Sequence, residues 1–275
     1  MLSKYKMKLF FYIYFFSFIV LNVSNLNADD FLNTVIKSEN RTPKYVLRDK
    51  YRNPEKTLLF FGIKRNMKVV ELQPSGGNSP GGWYTEILAP YLKDKGLLIA
   101  AHFNPKESEW RAKMRRGFEE RVKYDNDFNK IQMSVLSMPP IKLTDDNSVD
   151  MVLTFRNLHN WLKSGYLKEV FEVSYNALKK GGIFGIVEHR APESFDLKKM
   201  NSTGYVTESL AIKLATEVGF ILVDKSEINA NQKDEKNHPK GIWTLPPTLK
   251  LKEKDKEKYL EIGETDRMTL KFIKP

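Results

Sequence analysis

The sequence predicts an α/β protein with a doubly wound, mostly parallel seven-stranded sheet, preceded by a helical lead-in. Three observations carry this. From Met67 onward, seven short aliphatic or β-branched runs occur along the chain. Segments of helical period separate most of them, which is the pattern of parallel strands joined by crossover helices. An apolar content of 41% over 275 residues is enough for one sizeable core and argues against disorder.

Residues 1–28 read as a secretory signal peptide. Lys4, Lys6 and Lys8 precede the apolar run from Leu9 to Leu21, and a polar stretch then ends at the small residue Ala28. The run is shorter than the roughly 20 residues of a spanning helix. The expected mature chain begins at Asp29, periplasmic or secreted, with no stable membrane insertion after cleavage. Residues 29–66 form a helical lead-in with Arg48, Asp49, Arg52 and Asn53 as its polar part. Within it, Pro54 suits the first turn of a short helix that Gly62 closes.

The α/β domain occupies residues 67–275. Lys68–Leu72 is the first strand, followed by glycines and a helix carrying Tyr84, Ile87, Leu88, Tyr91 and Leu92 on one face. Pro90 should kink or shorten that helix. Leu97–Ala101 is the second strand, residues 111–122 a helix, Ile131–Val135 the third strand and Asp150–Phe155 the fourth. Ser164 is expected to cap a helix running to Lys180, closed by Gly181 and Gly182. Ile183–Val187 is the fifth strand, residues 207–218 a helix ended by Gly219, and Ile221–Asp224 the sixth strand. After a long loop, Arg267–Ile273 is the last strand, and with no crossover helix before it an antiparallel course is open to it.

Composition excludes several functions. There is no cysteine, which removes disulfides, thiolate metal sites and a cysteine nucleophile. The net charge is +11, three of it in the signal peptide, but no concentrated basic stripe appears. Nucleic acid is therefore not an expected partner, and a small-molecule substrate is. No ligand pair has zinc-type spacing on one element, so no metal site is expected, although Glu188, His189 and His238 are the residues one would combine.

The strongest local signal runs from Val69 through Glu71 to Gly76, Gly77, Gly81, Gly82, Trp83 and Tyr84. A strand ending near an acid, then glycines, then a helix lets backbone approach a ligand without a Cβ in the way. The helix amino end adds free N–H groups that suit a carboxylate or phosphate. The glycines lack the G-x-G-x-x-G spacing of a dinucleotide site, and the second strand leads into His102-Phe103-Asn104 where such a site would have an acid.

Further stretches share a pattern with this one: Asp150 to Leu153 leading to Arg156-Asn157-Leu158-His159-Asn160-Trp161, Gly181-Gly182 before Glu188-His189-Arg190, Ser226 to Asn229, and Gly263 to Met268. Together, from about Arg48 to Phe272, they resemble the class I S-adenosylmethionine-dependent methyltransferases. They are most similar to a group of exported proteins described as predicted methyltransferases. The resemblance implies a Rossmann-like sheet whose antiparallel last strand is inserted beside the sixth, with S-adenosylmethionine as cofactor. It would place the methionine part of the cofactor in the loop from Glu71 to Gly82. His102 and Asn104 would lie where the ribose-binding acid usually sits, Ser134 where an acid often meets the adenine amine, and Arg156 and Asn157 at the pocket edge. Asn78, Ser79 and Pro80 lengthen the glycine loop, and neither customary carboxylate is present. A charged hydrogen bond is worth about 1.5–3 kcal/mol, so one missing carboxylate weakens binding about 10- to 100-fold, offset in part because Asn104 can accept from a hydroxyl.

The catalytic candidates are His189, Glu188 and His159, with His189 as general base because an unperturbed imidazole titrates near neutrality. The competing reading pairs Glu188 with Arg190 and gives His159 a helix-capping role. Asn229, Asn231, Asp234, His238 and Trp243 lie in the long loop before the last strand, which is either a lid over substrate or a mobile polar loop. Two functions follow: methyl transfer to a small acceptor, or a non-catalytic binding module that kept the fold and altered the cofactor.

Overall fold

The computed structural model describes residues 30–74 and 81–275. The expected signal peptide, Gly76 and Gly77 lie outside the described residues. No helix among the described residues is long and apolar enough to cross a membrane.

The lead-in forms four short helices: α1 (Asp30–Ile36), α2 (Pro43–Val46), α3 (Asp49–Arg52) and α4 (Pro54–Phe61). Pro54 opens α4, and Gly62, in the left-handed region at φ 82°, closes it as expected. The domain follows as β1 (Lys68–Leu72), α5 (Thr85–Leu92), β2 (Leu97–Phe103), α6 (Glu109–Tyr124), β3 (Gln132–Leu136) and β4 (Val149–Phe155). Then come α7 (Leu158–Ser164), α8 (Leu167–Ala177), β5 (Leu178–Ala191), α9 (Leu197–Thr203), β6 (Val206–Thr207), α10 (Glu208–Val218) and β7 (Ile221–Ser226). A 3₁₀ turn at Gly241–Thr244, α11 (Lys256–Ile262) and β8 (Arg267–Ile273) complete the chain.

The sheet runs β3-β2-β1-β4-β5-β8-β7, with β6 adding a short pairing to the end of β5. Strands β1 to β5 pair in parallel, whereas β8 is antiparallel to both β5 and β7. Alternation along each strand divides the core. Val70, Leu72, Ile99, Ala101, Val152, Phe184 and Ile186 face α7, α8 and α10, while Val69, Leu98, Ala100, Met151 and Leu153 face α1, α4, α5 and Phe118 of α6.

Three expectations about elements need correction. The helix expected from Ser164 to Lys180 is two helices, because Gly165 takes φ 80° and ends α7 before α8 begins. Helix α5 buries every side chain but that of Pro90, so it has no polar face at all. Strands β2 and β5 are longer than expected, which places His102 in β2 and Glu188, His189 and Arg190 in β5. Because successive side chains in a strand point to opposite faces, those added residues acquire definite sides of the sheet.

Candidate active site

A cavity of about 780 Å³ opens at the carboxyl ends of β1 and β4, within the size range of small-molecule sites. Its floor is made by two strand ends in unusual conformations. Gln73 after β1 (φ 44°) and Arg156 after β4 (φ 65°) are both non-glycine residues in the left-handed region. Such backbone persists only where neighbours hold it, and the holding groups are visible here. The Gln73 amide donates to Ala101 O at 2.9 Å and its Oε1 accepts from Trp161 Nε1 at 3.0 Å. Asn157 Nδ2 donates to Leu72 O at 2.9 Å, tying β4 back to β1.

Glu71, Gly81, Gly82, Trp83 and Tyr84 all line the cavity. Glu71 is buried and accepts a hydrogen bond from Thr85 Oγ1 at 2.7 Å. Burial pushes its carboxyl up to about 8, and Thr85 only partly opposes this, so the acid is largely uncharged at neutral pH. Gly82 is required by close approach: a Cβ there would lie 1.8 Å from Pro74 O. Trp83 donates its indole N–H to Tyr45 O at 2.8 Å and is flanked by the guanidinium carbons of Arg41 (5.2 Å) and Arg52 (4.9 Å). Tyr84 stacks on Phe155 with ring centroids 3.5 Å apart.

The opposite wall comes from β5 and β8. Their antiparallel register sets His189 against Arg267, which brings Thr265 and Glu264 to the cavity. Glu188 and His159 form a buried pair, Oε1 to Nδ1 at 3.0 Å, and Glu188 also accepts from the amides of Leu158 (2.6 Å) and His189 (2.8 Å). His159 lines the cavity, and its second ring nitrogen makes no hydrogen bond to protein among the described residues. The tautomer that donates from Nδ1 to Glu188 would leave Nε2 able to accept a proton.

His189, the base expected from the sequence, is committed elsewhere. Nδ1 bonds Thr265 Oγ1, and Nε2 accepts from Arg156 Nε at 3.4 Å. Burial, reinforced by the Arg156 charge, holds its pKa well below the usual imidazole value. Glu188 does not line the cavity and touches it only by way of its bond to His159. It does not pair with Arg190, which binds Asp266 and Glu227. His159, Glu188 and His189 bring one ligating atom each within 4.8 Å of one another. Glu188 Oε1 already bonds His159 Nδ1, and His189 Nε2 accepts from the Arg156 guanidinium, which a cation at that nitrogen would have to displace.

Three cofactor candidates are misplaced. His102 is fully buried between Phe118 (4.9 Å) and Phe103 (5.2 Å), on the helical side of β2, and neither ring nitrogen has a partner. The extension of β2 puts Phe103, not His102, on the cavity side. Asn104 turns its Oδ1 back to the Lys106 amide at 3.0 Å, and Ser134 donates to Leu143 O at 2.5 Å; neither lines the cavity. The supposed lid is also fastened down. Asn229 donates to Thr57 and Thr269 hydroxyls, Asn231 to the carbonyls of Ile262 and Glu264, and Asp234 accepts from Tyr205, His238 and the Asp266 amide. Of those loop residues, Trp243 lines the cavity.

Sequence reasoning missed the lead-in's part. Tyr45, Arg48 and Arg52 line the cavity, and both arginines donate through Nε to Glu264, at 2.6 and 3.1 Å. Arg48 and Arg52 stood out as polar, but their partner lies more than 200 residues away and no local signal joins them.

No protein-family model matches the chain, and no curated protein matches it by sequence. Solved structures do. A SAM dependent methyltransferase from Aquifex aeolicus superposes with a TM-score of 0.54 at 15% identity, covering 90% of this chain and 98% of that one. Geranyl diphosphate methyltransferase in complex with SAM gives 0.53 at 10% identity, covering 88% and 95%. The [4+2]-cyclase SpnF gives 0.55 at 11% identity, covering 82% and 81%. The chain therefore has the class I methyltransferase fold, a mostly parallel Rossmann-like sheet with the antiparallel β8 inserted between β5 and β7.

Proposed function

We propose that this chain is an exported S-adenosylmethionine-dependent methyltransferase acting on a small acceptor. The observation that carries the reading is the cavity at the ends of β1 and β4, in this fold, with Glu71 buried in its wall and His159 free beside it. The residues fit the cofactor at its amino-acid end. A carboxyl held neutral by burial ionises readily against an incoming ammonium or sulfonium. Glu71, Gly81 and Gly82 would hold that end, and Phe103, Trp110 and Met138 give the nucleoside end an apolar wall. Bound there, S-adenosylmethionine would supply an electrophilic methyl group.

This chain's own residues then have two tasks. The strained, cross-tied ends of β1 and β4 position the reactants, which alone can supply a large part of the rate. His159 takes the proton of the acceptor's hydroxyl or amine on its free nitrogen, while Glu188 stabilises the imidazolium so formed. His159→Ala is expected to lower kcat about 10²- to 10⁴-fold with cofactor affinity unchanged.

The binding-module reading keeps one observation on its side. The carboxylates among the described lining residues are Glu71 and Glu264, and neither stands at the end of β2. Fold alone does not choose, since SpnF bears the name of a cyclase. Calorimetric titration with S-adenosylmethionine and its demethylated product decides. Micromolar binding of both supports methyl transfer; no heat with either, from folded protein, makes the binding module the better reading. The amino-terminal sequence of protein recovered outside the cytoplasm tests export, with Asp29 as the expected first residue.

A further inference from the structure

Three arginines converge on one carboxylate in the cavity wall, and a fourth lines the cavity beside them. Arg48 and Arg52 reach Glu264 through Nε, and Arg267 through Nη1 at 3.0 Å. Arg156 is the fourth, and its bond to the neutral His189 ring is the only side-chain hydrogen bond it makes among the described residues. Four positive charges against one negative leave an excess of about three along this wall of the cavity. Nη2 of Arg48, Nη2 of Arg52 and Nε of Arg267 are buried without a hydrogen-bond partner, and Arg52 is only 4% exposed. Buried guanidinium donors left unmade are costly, and such groups in a native fold call for a ligand that completes them.

Burial and the neighbouring charges together shift three of the arginines and Glu264. Burial lowers Arg48 to about 10, aided by Arg52 and only partly opposed by Glu264. Burial likewise depresses Arg156 and Arg267, with the neighbouring arginines adding to the effect. Glu264, which burial alone would raise, is held well below the usual carboxylate range by Arg52, Arg267, Arg48 and Arg156.

An amino-acid end of the cofactor would bring one carboxylate, together with an ammonium and a sulfonium. It cannot balance three positive charges. The geometry points to a methyl acceptor that is itself a small acid, its carboxylate or phosphate gripped by Arg48, Arg52 and Arg156; this rests on the methyl-transfer reading above. Guanidinium forks match both oxyanions in bidentate fashion. Part of the remaining wall is aromatic or aliphatic, with Tyr84 on Phe155, then Trp161, Ile242 and Trp243, which suits an acid with an apolar or aromatic body. His159 stands on the same side to receive its proton.

The test is titration of the protein with inorganic phosphate and with succinate, alone and with saturating S-adenosylhomocysteine, read by calorimetry. Binding of either oxyanion that persists beside S-adenosylhomocysteine is the expected result, and the tighter of the two names the head group. Arg156→Gln and Arg48→Gln should each weaken it about 10- to 100-fold, with Arg156→Lys intermediate and near-ultraviolet circular dichroism unchanged. No oxyanion binding by the wild type, or equal binding by the glutamine variants, overturns the proposal. Mutual displacement of oxyanion and S-adenosylhomocysteine would assign the cluster to the cofactor's own carboxylate and overturn it while sparing methyl transfer. Oxyanion binding with no S-adenosylhomocysteine binding removes methyl transfer itself, and the acceptor assignment with it.

Discussion

Glu264 and Asp266 stand two residues apart at the start of β8, and their surroundings are opposite in charge balance. Asp266 meets Arg190 at 3.0 Å and Lys236 at 3.0 Å, and Arg190 is shared with Glu227 at 2.6 Å and Glu208 at 3.7 Å. Lys225 in turn pairs with Glu208 at 2.6 Å, so three cations meet three acids outside the cavity. Glu264, on the cavity side, pairs with Arg48, Arg52 and Arg267 among the described residues, with Arg156 lining the cavity nearby. The arginines record the difference: hydrogen bonds donated to Glu227, then to Asp266, raise Arg190, whereas burial lowers Arg48. A balanced network ties elements together. An unbalanced one, held in a cavity wall, is arranged for something that arrives.

Removing Glu264 should break this contrast most severely. Glu264→Gln leaves buried guanidiniums with no carboxylate and is expected to cost about 3–5 kcal/mol in urea denaturation. Millimolar phosphate should restore part of that loss, and no restoration would count against the cavity-side cluster being anion-seeking.

Two buried titratable groups give effects of the next size. His102 has a folded pKa lowered to about 3 by burial, with Arg115 adding to it, against an ordinary value of 6.5. Between those values the unfolded chain binds the extra proton, so stability falls as pH drops through the window, by up to about 1.4 kcal/mol per pH unit. Glu71 is the reverse: raised to about 8 from 4.5, it contributes stability that is full below 4.5 and is lost as pH rises toward 8. His102→Phe should flatten the acid side of a stability-against-pH curve, and Glu71→Gln the neutral side. An unchanged acid limb in His102→Phe would mean that the ring finds a partner.

Smaller still is the effect of neutralising one cavity arginine. Arg156→Met removes a half-buried charge that has no carboxylate hydrogen-bonded to it among the described residues, and should stabilise the ligand-free protein by about 1 kcal/mol while weakening oxyanion binding. Arg190→Met, in the balanced network, should destabilise; thermal denaturation of the pair tests the comparison directly. Least of all, Glu227→Gln should cost under about 1 kcal/mol, since Glu227 is 70% exposed and its pair with Arg190 is screened.

Much of the scaffold was legible because periodicity and breakers are local. The last strand has the bounds expected for it, Arg267–Ile273, and Pro54 and Gly62 bracket α4 as their chemistry requires. Glu71, Gly82, Trp83 and Tyr84 reached the cavity because a strand, a close turn and a helix in succession leave few other arrangements. Failure began at strand ends. Two additional residues in β2 moved His102 to the helical face, and the longer β5 gave Glu188 to His159 and His189 to Thr265.

The sequence by itself determined the layers: which runs are strands, which faces are apolar, and where the glycine-bearing turn falls, all set by contacts a few residues long. Tertiary structure alone decided which side each strand-end residue faces, because pleat parity depends on where pairing stops. It also decided that Arg48 and Arg52 of the lead-in meet Glu264 of the final turn. Charge balance is a sum over neighbours in space, and only the folded chain shows which neighbours those are.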